Sequence, residues 1–165
     1  MCAGKDAVFF GAVGGPKWDD PNAPVRPEQA ILGLRKALGL FANIRPVKMY
    51  DFLVDSSTLK SEVVRGVDLI VLRELTGGIY FGQPQRQWVE GGERRVVDTL
   101  AYSEHEIERI LRMGFELARG RRRKLTSVDK ANVMESSRLW RAIATELAPD
   151  YPDVELEHIL MDACA

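Results

Sequence analysis

Apolar residues along the chain occur in two arrangements, short continuous runs and runs at helix spacing, which together indicate an α/β domain. Strand-like runs lie, in chain order, at Ala7–Phe10, Ile44–Tyr50, Val67–Leu72, Leu125–Val128 and Val154–Met161. Helix spacing occurs at Ala30–Phe41, Ile107–Ala118 and Ser136–Leu147. Ser103 and Glu106 form a capping box before the second helix, and Gly120 closes it. The alternation of strands and helices predicts a mainly parallel sheet flanked by helices.

A polar segment interrupts this alternation between the central strand and the capped helix. Gly and Pro residues bracket Ile79–Phe81, and Gly91 and Gly92 lie in the polar stretch that follows. Such glycine-punctuated segments are typical of hairpins. We therefore predict a protruding β-arm at about residues 80–101, with Trp88 directed at a partner surface.

Composition excludes several classes of protein. The chain has 165 residues, 45% of them hydrophobic, and a formal net charge of -1, so it can bury a core but offers no field for nucleic acid or anionic lipid. No apolar run approaches the roughly 18 residues of a membrane-spanning helix. Cys2 and Cys164 lie at opposite ends without metal-ligand spacing, which favours free thiols in a reducing, cytoplasmic compartment.

Charged residues follow three of the predicted strands. Arg73-Glu74 follow the strand at Val67–Leu72, Asp129-Lys130 follow the strand at Leu125–Val128, and Asp162 follows the last strand. Ligands of parallel α/β sheets bind beyond the carboxyl ends of strands, so these positions together indicate a site. The alternative for any one of them is that strand ends simply meet water.

Two arginines suggest what such a site binds. Arg35 and Arg45 flank the passage from the first helix to the next strand, and arginine pairs hold carboxylates bidentately. A small polycarboxylic acid is the ligand that this chemistry favours, although Arg35 also fits a solvated helix face. His105 and His158 have no clustered partners in the sequence and are predicted to be structural.

Several segments, in order along nearly the whole chain, resemble the isopropylmalate dehydrogenases of the β-decarboxylating dehydrogenase family. The segments are Gly11–Trp18, Arg26-Pro27-Glu28, Leu34–Lys36, Leu40–Pro46, Arg73–Gly82, Ser127–Val133, Glu157-His158 and Asp162-Ala163. The wider family shares the Arg-Glu-Leu-Thr-Gly-Gly and Asp-Lys-Ala-Asn elements. The helix before Arg35 is what favours isopropylmalate, since Ile31 and Leu32 would form an apolar wall for its alkyl group.

The resemblance implies NAD-dependent oxidative decarboxylation of 3-isopropylmalate to 4-methyl-2-oxopentanoate, in leucine biosynthesis, by a homodimer with shared active sites. It also implies roles for individual residues: Glu28 beside the nicotinamide, Ile31 and Leu32 at the isopropyl group, Arg35, Arg45 and Arg73 on the carboxylates, Tyr80 as acid, Lys130 as base, and Asp162 as ligand of Mg²⁺ or Mn²⁺. Asn132 and Val133, with Lys130 and Asp162, would reach the partner's site and contact its substrate.

The same resemblance implies a fold that is incomplete at both ends. The family's opening glycine-rich segment and everything after Asp162, including two further metal-ligating aspartates and the NAD adenosine loops, have no counterpart here. We therefore expect residues 1–41 to be part of a cofactor-side domain, residues 42–165 to be most of a substrate-side, dimer-forming domain, and the fragment to be inactive alone. The alternatives are a β-decarboxylating dehydrogenase for tartrate or D-malate, and a non-catalytic dimerising fragment.

Overall fold

The computed structural model describes residues 2–18, 20 and 24–164 of the chain. They fall into two compact units, Met1–Phe41 and Ala42–Ala165. We describe each unit by itself.

The first unit contains one regular helix, α1 (Glu28–Leu38), and a 3₁₀ turn at Pro16–Trp18. The apolar pattern predicts a helix reaching Phe41, but Gly39 adopts a left-handed conformation with φ of 63° and ends it earlier. The predicted strand at Ala7–Phe10 is wrong: these residues are irregular, and Phe9 is fully exposed. A strand needs a hydrogen-bonded neighbour, and none pairs with this segment in the described part of the chain.

The second unit contains six strands and four helices. The strands are β1 (Ala42–Lys48), β2 (Asp68–Glu74), β3 (Arg86–Glu90), β4 (Glu93–Val97), β5 (Lys124–Asp129) and β6 (Glu155–Leu160). The helices are α2 (Ser61–Val64), α3 (Glu104–Arg119), α4 (Glu135–Leu147) and α5 (Met161–Cys164). The strands pair within the described residues as three two-stranded sheets, β1–β2, β3–β4 and β5–β6.

The α/β class is confirmed, and the strand pairs differ in direction. β5 and β6 run parallel with α4 between them, as the pattern predicts, and β3–β4 is the predicted arm hairpin. β1 and β2, however, run antiparallel. The segment that joins them closes on itself, because Met49 N–H donates to the Val67 carbonyl at 2.8 Å, so the chain turns back instead of crossing over.

The hydrophobic core of the second unit lies between α3 and α4. Buried apolar side chains from both helices and the segment after α4 form one cluster: Ile107, Leu111, Phe115, Ala118, Ile143, Ala144, Leu147, Tyr151 and Val154. The Phe115 and Tyr151 rings stack with centroids 4.5 Å apart. The capping box is confirmed, since Ser103 and Glu106 exchange side-chain to backbone hydrogen bonds at the start of α3.

Candidate active site

The exposed face of the β1–β2 sheet carries two of the predicted carboxylate-binding arginines. Asn43 lies opposite Arg73, and Arg45 lies opposite Val71, so all four side chains share one face. Arg45 and Arg73 are therefore diagonal neighbours, with both side chains open to solvent. Arg45 Nε also donates to Asn43 Oδ1, which directs its guanidinium along this face. Two adjacent guanidiniums are suited to a ligand with more than one carboxylate.

Tyr80 lies beside Arg73 of β2. It ends a 3₁₀ turn, Gly78–Tyr80, and the Arg73 guanidinium carbon lies 5.1 Å from the centroid of its ring. A guanidinium over an aromatic face is a favourable cation–π arrangement. The structure thus brings together three of the residues for which the sequence suggests a role, Arg45, Arg73 and Tyr80.

Glu74, the neighbour of Arg73, points the opposite way and organises the loop that leads to Tyr80. Its side chain is 1% exposed and pairs with Arg109 of α3 at 2.9 Å. The same carboxylate accepts the backbone N–H groups of Thr76 and Gly77, each at 2.8 Å. It also accepts the Thr76 hydroxyl at 2.6 Å. Every oxygen of this buried carboxylate is therefore engaged by the loop or by α3.

Close packing shapes the rest of this loop. Gly78 has φ of 76°, and its N–H donates to the Ala101 carbonyl at 2.7 Å. A Cβ on Gly77 would lie 2.6 Å from the Tyr102 ring, and one on Gly78 would collide with the Tyr102 hydroxyl. Burial, with a contribution from the charge of Glu74, raises the pKa of the Tyr102 hydroxyl. Only glycine fits at both positions, so the turn before Tyr80 is fixed against the residue that precedes α3.

A second group of predicted residues lies beyond β5 and β6. Asp129 pairs with Leu160 in the parallel register, so the residues that follow, Lys130 and Asp162, leave the same edge of the sheet. Their side chains form an ion pair. The hydrogen bond and charge of Lys130 lower the pKa of the Asp162 carboxyl. Val133 and Asn132 are in the turn after Lys130, and the Val133 side chain is exposed.

A third group lies on α1. Glu28, Ile31, Leu32 and Arg35 occupy positions i, i+3, i+4 and i+7 and therefore form one stripe along the helix. Ile31, Leu32 and Arg35 are half-buried, and Glu28 is exposed. This stripe belongs to the first unit, whereas the other two groups belong to the second.

Comparison with known proteins places the chain. A family model described as isocitrate/isopropylmalate dehydrogenase matches residues 1–165. The chain belongs to this family. It is 58% identical over 164 residues to the 3-isopropylmalate dehydrogenase of Anaeromyxobacter dehalogenans, covering 99% of this chain and 46% of that protein. It is 62% identical to the 3-isopropylmalate dehydrogenase of Bacillus caldotenax, covering 98% of this chain and 44% of that protein.

Solved structures of the family share the fold. A crystal structure of isocitrate dehydrogenase from Methylococcus capsulatus matches with a TM-score of 0.68 and 32% identity, over 81% of this chain and 38% of that one. A second crystal structure, of a Thermus thermophilus protein, matches with a TM-score of 0.69 and 28% identity, over 86% of this chain and 27% of that one. The chain spans less than half the length of the curated relatives named above.

The carboxylate of Asp162 fits the role of one metal ligand in a member of this family. Its side chain is 66% exposed, and Mg²⁺ is commonly held by one or two protein carboxylates together with substrate oxygens and water. Among the residues that the structure describes, no three His, Cys, Asp or Glu side chains form a metal-binding group. A metal held by Asp162 would compete with Lys130 for its carboxylate. In the same described ranges, no helix is long and apolar enough to cross a membrane.

The sequence predicts a rim of Arg, Lys and Asp side chains after the strands that end at Arg73-Glu74, Asp129-Lys130 and Asp162. In the structure Glu74 and Asp129 are buried, each with a side-chain exposure of 1%. The signal that identifies them is strand alternation, since neighbours in a strand point to opposite faces. Arg109 and Arg141, their helical partners, carry no signal in the sequence because the pairing is long-range.

Proposed function

We propose that the protein containing this chain oxidises 3-isopropylmalate with NAD⁺ and decarboxylates it to 4-methyl-2-oxopentanoate, in leucine biosynthesis. The names of the curated relatives, each more than half identical to this chain, support the substrate. The observation that carries the proposal is that Arg45 and Arg73 share one sheet face and Tyr80 lies against Arg73, because this reaction needs cations for two carboxylates beside a proton donor.

The binding roles follow from the chemistry of each side chain. Arg45 and Arg73 bind the carboxylates, and Arg35 of the α1 stripe adds a third guanidinium. Ile31 and Leu32 contact the isopropyl group, and Glu28 lies beside the nicotinamide. An apolar pair on a helix favours a substrate with an alkyl substituent over one whose substituent carries a hydroxyl or carboxylate.

Two side chains move protons in the proposed reaction. Lys130 accepts the proton of the substrate hydroxyl while the hydride leaves for NAD⁺, and Tyr80 donates a proton to the carbon that loses CO₂. Asp162 would be among the ligands of Mg²⁺ or Mn²⁺, which when bound would supply Lewis acidity to the oxidation. Arg73, against the Tyr80 ring, orients the donor and keeps positive charge where the carboxylate departs.

The two proton-transfer residues lie on different sheets of this chain, which supports an active site shared between two subunits. Tyr80 stands at the β1–β2 sheet, and Lys130 stands at the β5–β6 sheet. We propose that Lys130, Asn132, Val133 and Asp162 of one subunit complete the site of its partner. The β3–β4 hairpin, with Val89 and Val96 exposed, is the proposed dimer arm. We also propose that the 165-residue chain is inactive alone, since it spans less than half the length of its relatives, and that the working enzyme is cytoplasmic.

The test is NADH formation measured with the protein that contains this chain, NAD⁺ and Mg²⁺. We expect kcat/KM for 3-isopropylmalate to exceed that for D-malate and tartrate, and Arg45→Gln to lower it on the order of 10²-fold by leaving a carboxylate unpaired. Arg65→Gln, at an exposed arginine outside the sheets and the hairpin, is the matched control. Preference for D-malate would refute the substrate, and NADH formation by the isolated chain would refute its proposed inactivity.

A further inference from the structure

The turn between β5 and α4 is organised by a buried carboxylate that the proposed reaction does not use. Asp129 ends β5, and its side chain is 1% exposed. Its two oxygens accept Nε and Nη2 of Arg141 at 2.8 and 2.9 Å, a bidentate pair. Oδ1 also accepts the backbone N–H of Ala131 at 2.9 Å. Arg141 lies on α4, so the carboxylate ties the turn to the helix that follows it.

Further hydrogen bonds hold the backbone on both sides of Lys130. The Lys130 carbonyl accepts the N–H groups of Val133 and Met134 at 3.0 and 2.9 Å. Arg138 Nε donates to the Ala131 carbonyl at 3.0 Å, again from α4. The Asp129 side chain accepts the backbone N–H of Ala131, the residue directly after Lys130.

We propose that Asp129 and Arg141 are positioning residues that fix the turn carrying Lys130, Asn132 and Val133 toward the bound substrate. The inference rests on the proposed function of Lys130 and names two residues that act through it. Misplacing a proton acceptor by about 1 Å lowers turnover on the order of 10²-fold, so a rigid turn is a catalytic requirement.

Stability alone does not account for this arrangement. A buried ion pair gains little over a well-packed apolar pair, because both charges lose their hydration. An apolar pair, however, leaves the Ala131 N–H without its acceptor, whereas the Asp129 carboxylate supplies two oxygens to Arg141 and still serves the amide. The pair therefore provides directional contacts to the turn that packing does not.

The test is a double-mutant cycle in the active protein that contains this chain, with 3-isopropylmalate, NAD⁺ and Mg²⁺. Asp129→Asn removes the charge, and Arg141→Lys keeps the charge but loses the bidentate geometry. Each is made in the native background and in Lys130→Ala. Asp153→Asn is the matched control, since Asp153 accepts Nε and Nη2 of Arg119 on the surface, at 3.0 and 2.9 Å. Thermal melting verifies that each variant is folded.

We expect Asp129→Asn and Arg141→Lys each to lower kcat on the order of 10²-fold in the native background. In the Lys130→Ala background we expect a clearly smaller loss, because Lys130 is gone and only Asn132 and Val133 remain to be positioned. Equal losses in both backgrounds, or unchanged kcat in folded Arg141→Lys, would overturn the proposal. If Asp129→Asn does not fold, Arg141→Lys alone decides by the same comparison.

Hydrogen exchange of the Ala131 amide separates this proposal from the proposed function. Faster exchange in Asp129→Asn than in the native protein or Asp153→Asn supports the positioning role of Asp129, and unchanged exchange overturns it. If Lys130→Ala retains full activity, the catalytic role of Lys130 fails and the positioning role fails with it. The exchange measurement then still reports whether Asp129 orders the turn.

Discussion

Two buried carboxylates form ion pairs that hold strand ends of this chain to its helices. Glu74 and Asp129 are each enclosed within the second unit and paired with one arginine of the following helix, Arg109 or Arg141. Removing the charge from one partner leaves the other with incomplete hydrogen bonding in a poorly hydrated place. Surface pairs such as Glu116 with Arg119 are hydrated whether or not they form. Substitutions at the two kinds of site should therefore have very different costs.

Glu74→Gln tests this difference. An amide keeps the shape but loses the charge opposite Arg109 and presents an NH₂ group to the loop, so we expect a loss of about 2 kcal/mol in the free energy of unfolding. Chemical denaturation of the chain measures it. Glu116→Gln is the control, with an expected change below about 0.5 kcal/mol. Similar values for the two variants would contradict the role given to Glu74.

His158 on β6 makes stability depend on pH. Burial of the ring, followed by the charge of Arg141, lowers the pKa of His158, while Asp129 acts in the opposite direction. Nδ1 is buried without a hydrogen-bond partner among the described residues, and Nε2 lies 3.3 Å from the Thr145 hydroxyl. The folded state therefore favours the neutral ring.

The direction of the pH effect follows from that preference. Below the ordinary histidine value of about 6.5, the unfolded chain binds a proton that the folded chain resists, so stability is fully present above this pH and falls below it. We expect the Tm of the native chain to fall more between pH 7.5 and pH 5 than that of His158→Gln. His105→Gln, at the exposed start of α3, should follow the native chain. Parallel curves for His158→Gln and the native chain would refute the prediction.

At the scale of elements, the start of α3 holds the Tyr80 turn. The capping box fixes Ser103, so Tyr102 immediately before it has a defined place over Gly77 and Gly78. Arg109, two turns into α3, reaches Glu74 at the other end of the same loop. The loop between β2 and Tyr80 is thus bound to one helix at two points.

Gly78→Ala tests this attachment. The added Cβ meets the Tyr102 hydroxyl, and φ of 76° is strained for alanine, so we expect a loss of about 2–4 kcal/mol. Gly120→Ala is the control, because Gly120 has φ of -75° and its Cβ would make an ordinary contact at 3.7 Å. Thermal melting compares the two. A Tm for Gly78→Ala equal to that of the control would contradict the packing described for this loop.

Elements with local signals were predictable from the sequence, and those that depend on distant partners were not. The bounds of α3 follow from Ser103, Glu106 and Gly120, which act within a few residues. The segment at Ala7–Phe10 has the composition of a strand, but composition does not provide a neighbour to pair with. The direction of β1 against β2 likewise depends on how residues 49–67 close, through a hydrogen bond between its ends.

The candidate site divides in the same way. The meeting of Lys130 with Asp162 was predictable, because parallel neighbours end at one edge. That Arg45 and Arg73 are diagonal neighbours requires the antiparallel register, which no local pattern specifies. Tyr80 and the three residues of the α1 stripe beside Arg35 came from family resemblance, and their roles stay predictions.

At the scale of the whole molecule, buried apolar surface is concentrated in the second unit. Every buried hydrophobic residue of the described chain lies between Val54 and Val154, and α1 has no buried residue. Burial of apolar surface is the main favourable contribution to folding. The second unit therefore holds the residues that a cooperative transition requires.

A chain that begins at Ala42 tests this distribution. We expect its Tm to lie within about 3 °C of that of the 165-residue chain, because the core cluster is retained. Limited proteolysis of the longer chain should cut first within residues 2–41. If the chain that begins at Ala42 has no cooperative transition, or if cleavage of the longer chain begins in α3 or α4, the first unit is needed for the core.

Within Arg73-Glu74 and within Asp129-Lys130 the two side chains point in opposite directions, and this predicts how the sequence changes during evolution. In each pair the carboxylate forms an ion pair with a helix of the same chain, and the cation lies on the side where the proposed ligand binds. Among descendants that keep the reaction and change only the substituent of the substrate, Arg73 and Lys130 should be retained, because in the proposed function both act on the reacting part of the substrate. Glu74 should change only together with Arg109, and Asp129 only together with Arg141. The two buried contacts therefore predict that Glu74 and Arg109 change together among related sequences, as do Asp129 and Arg141, whatever the substrate.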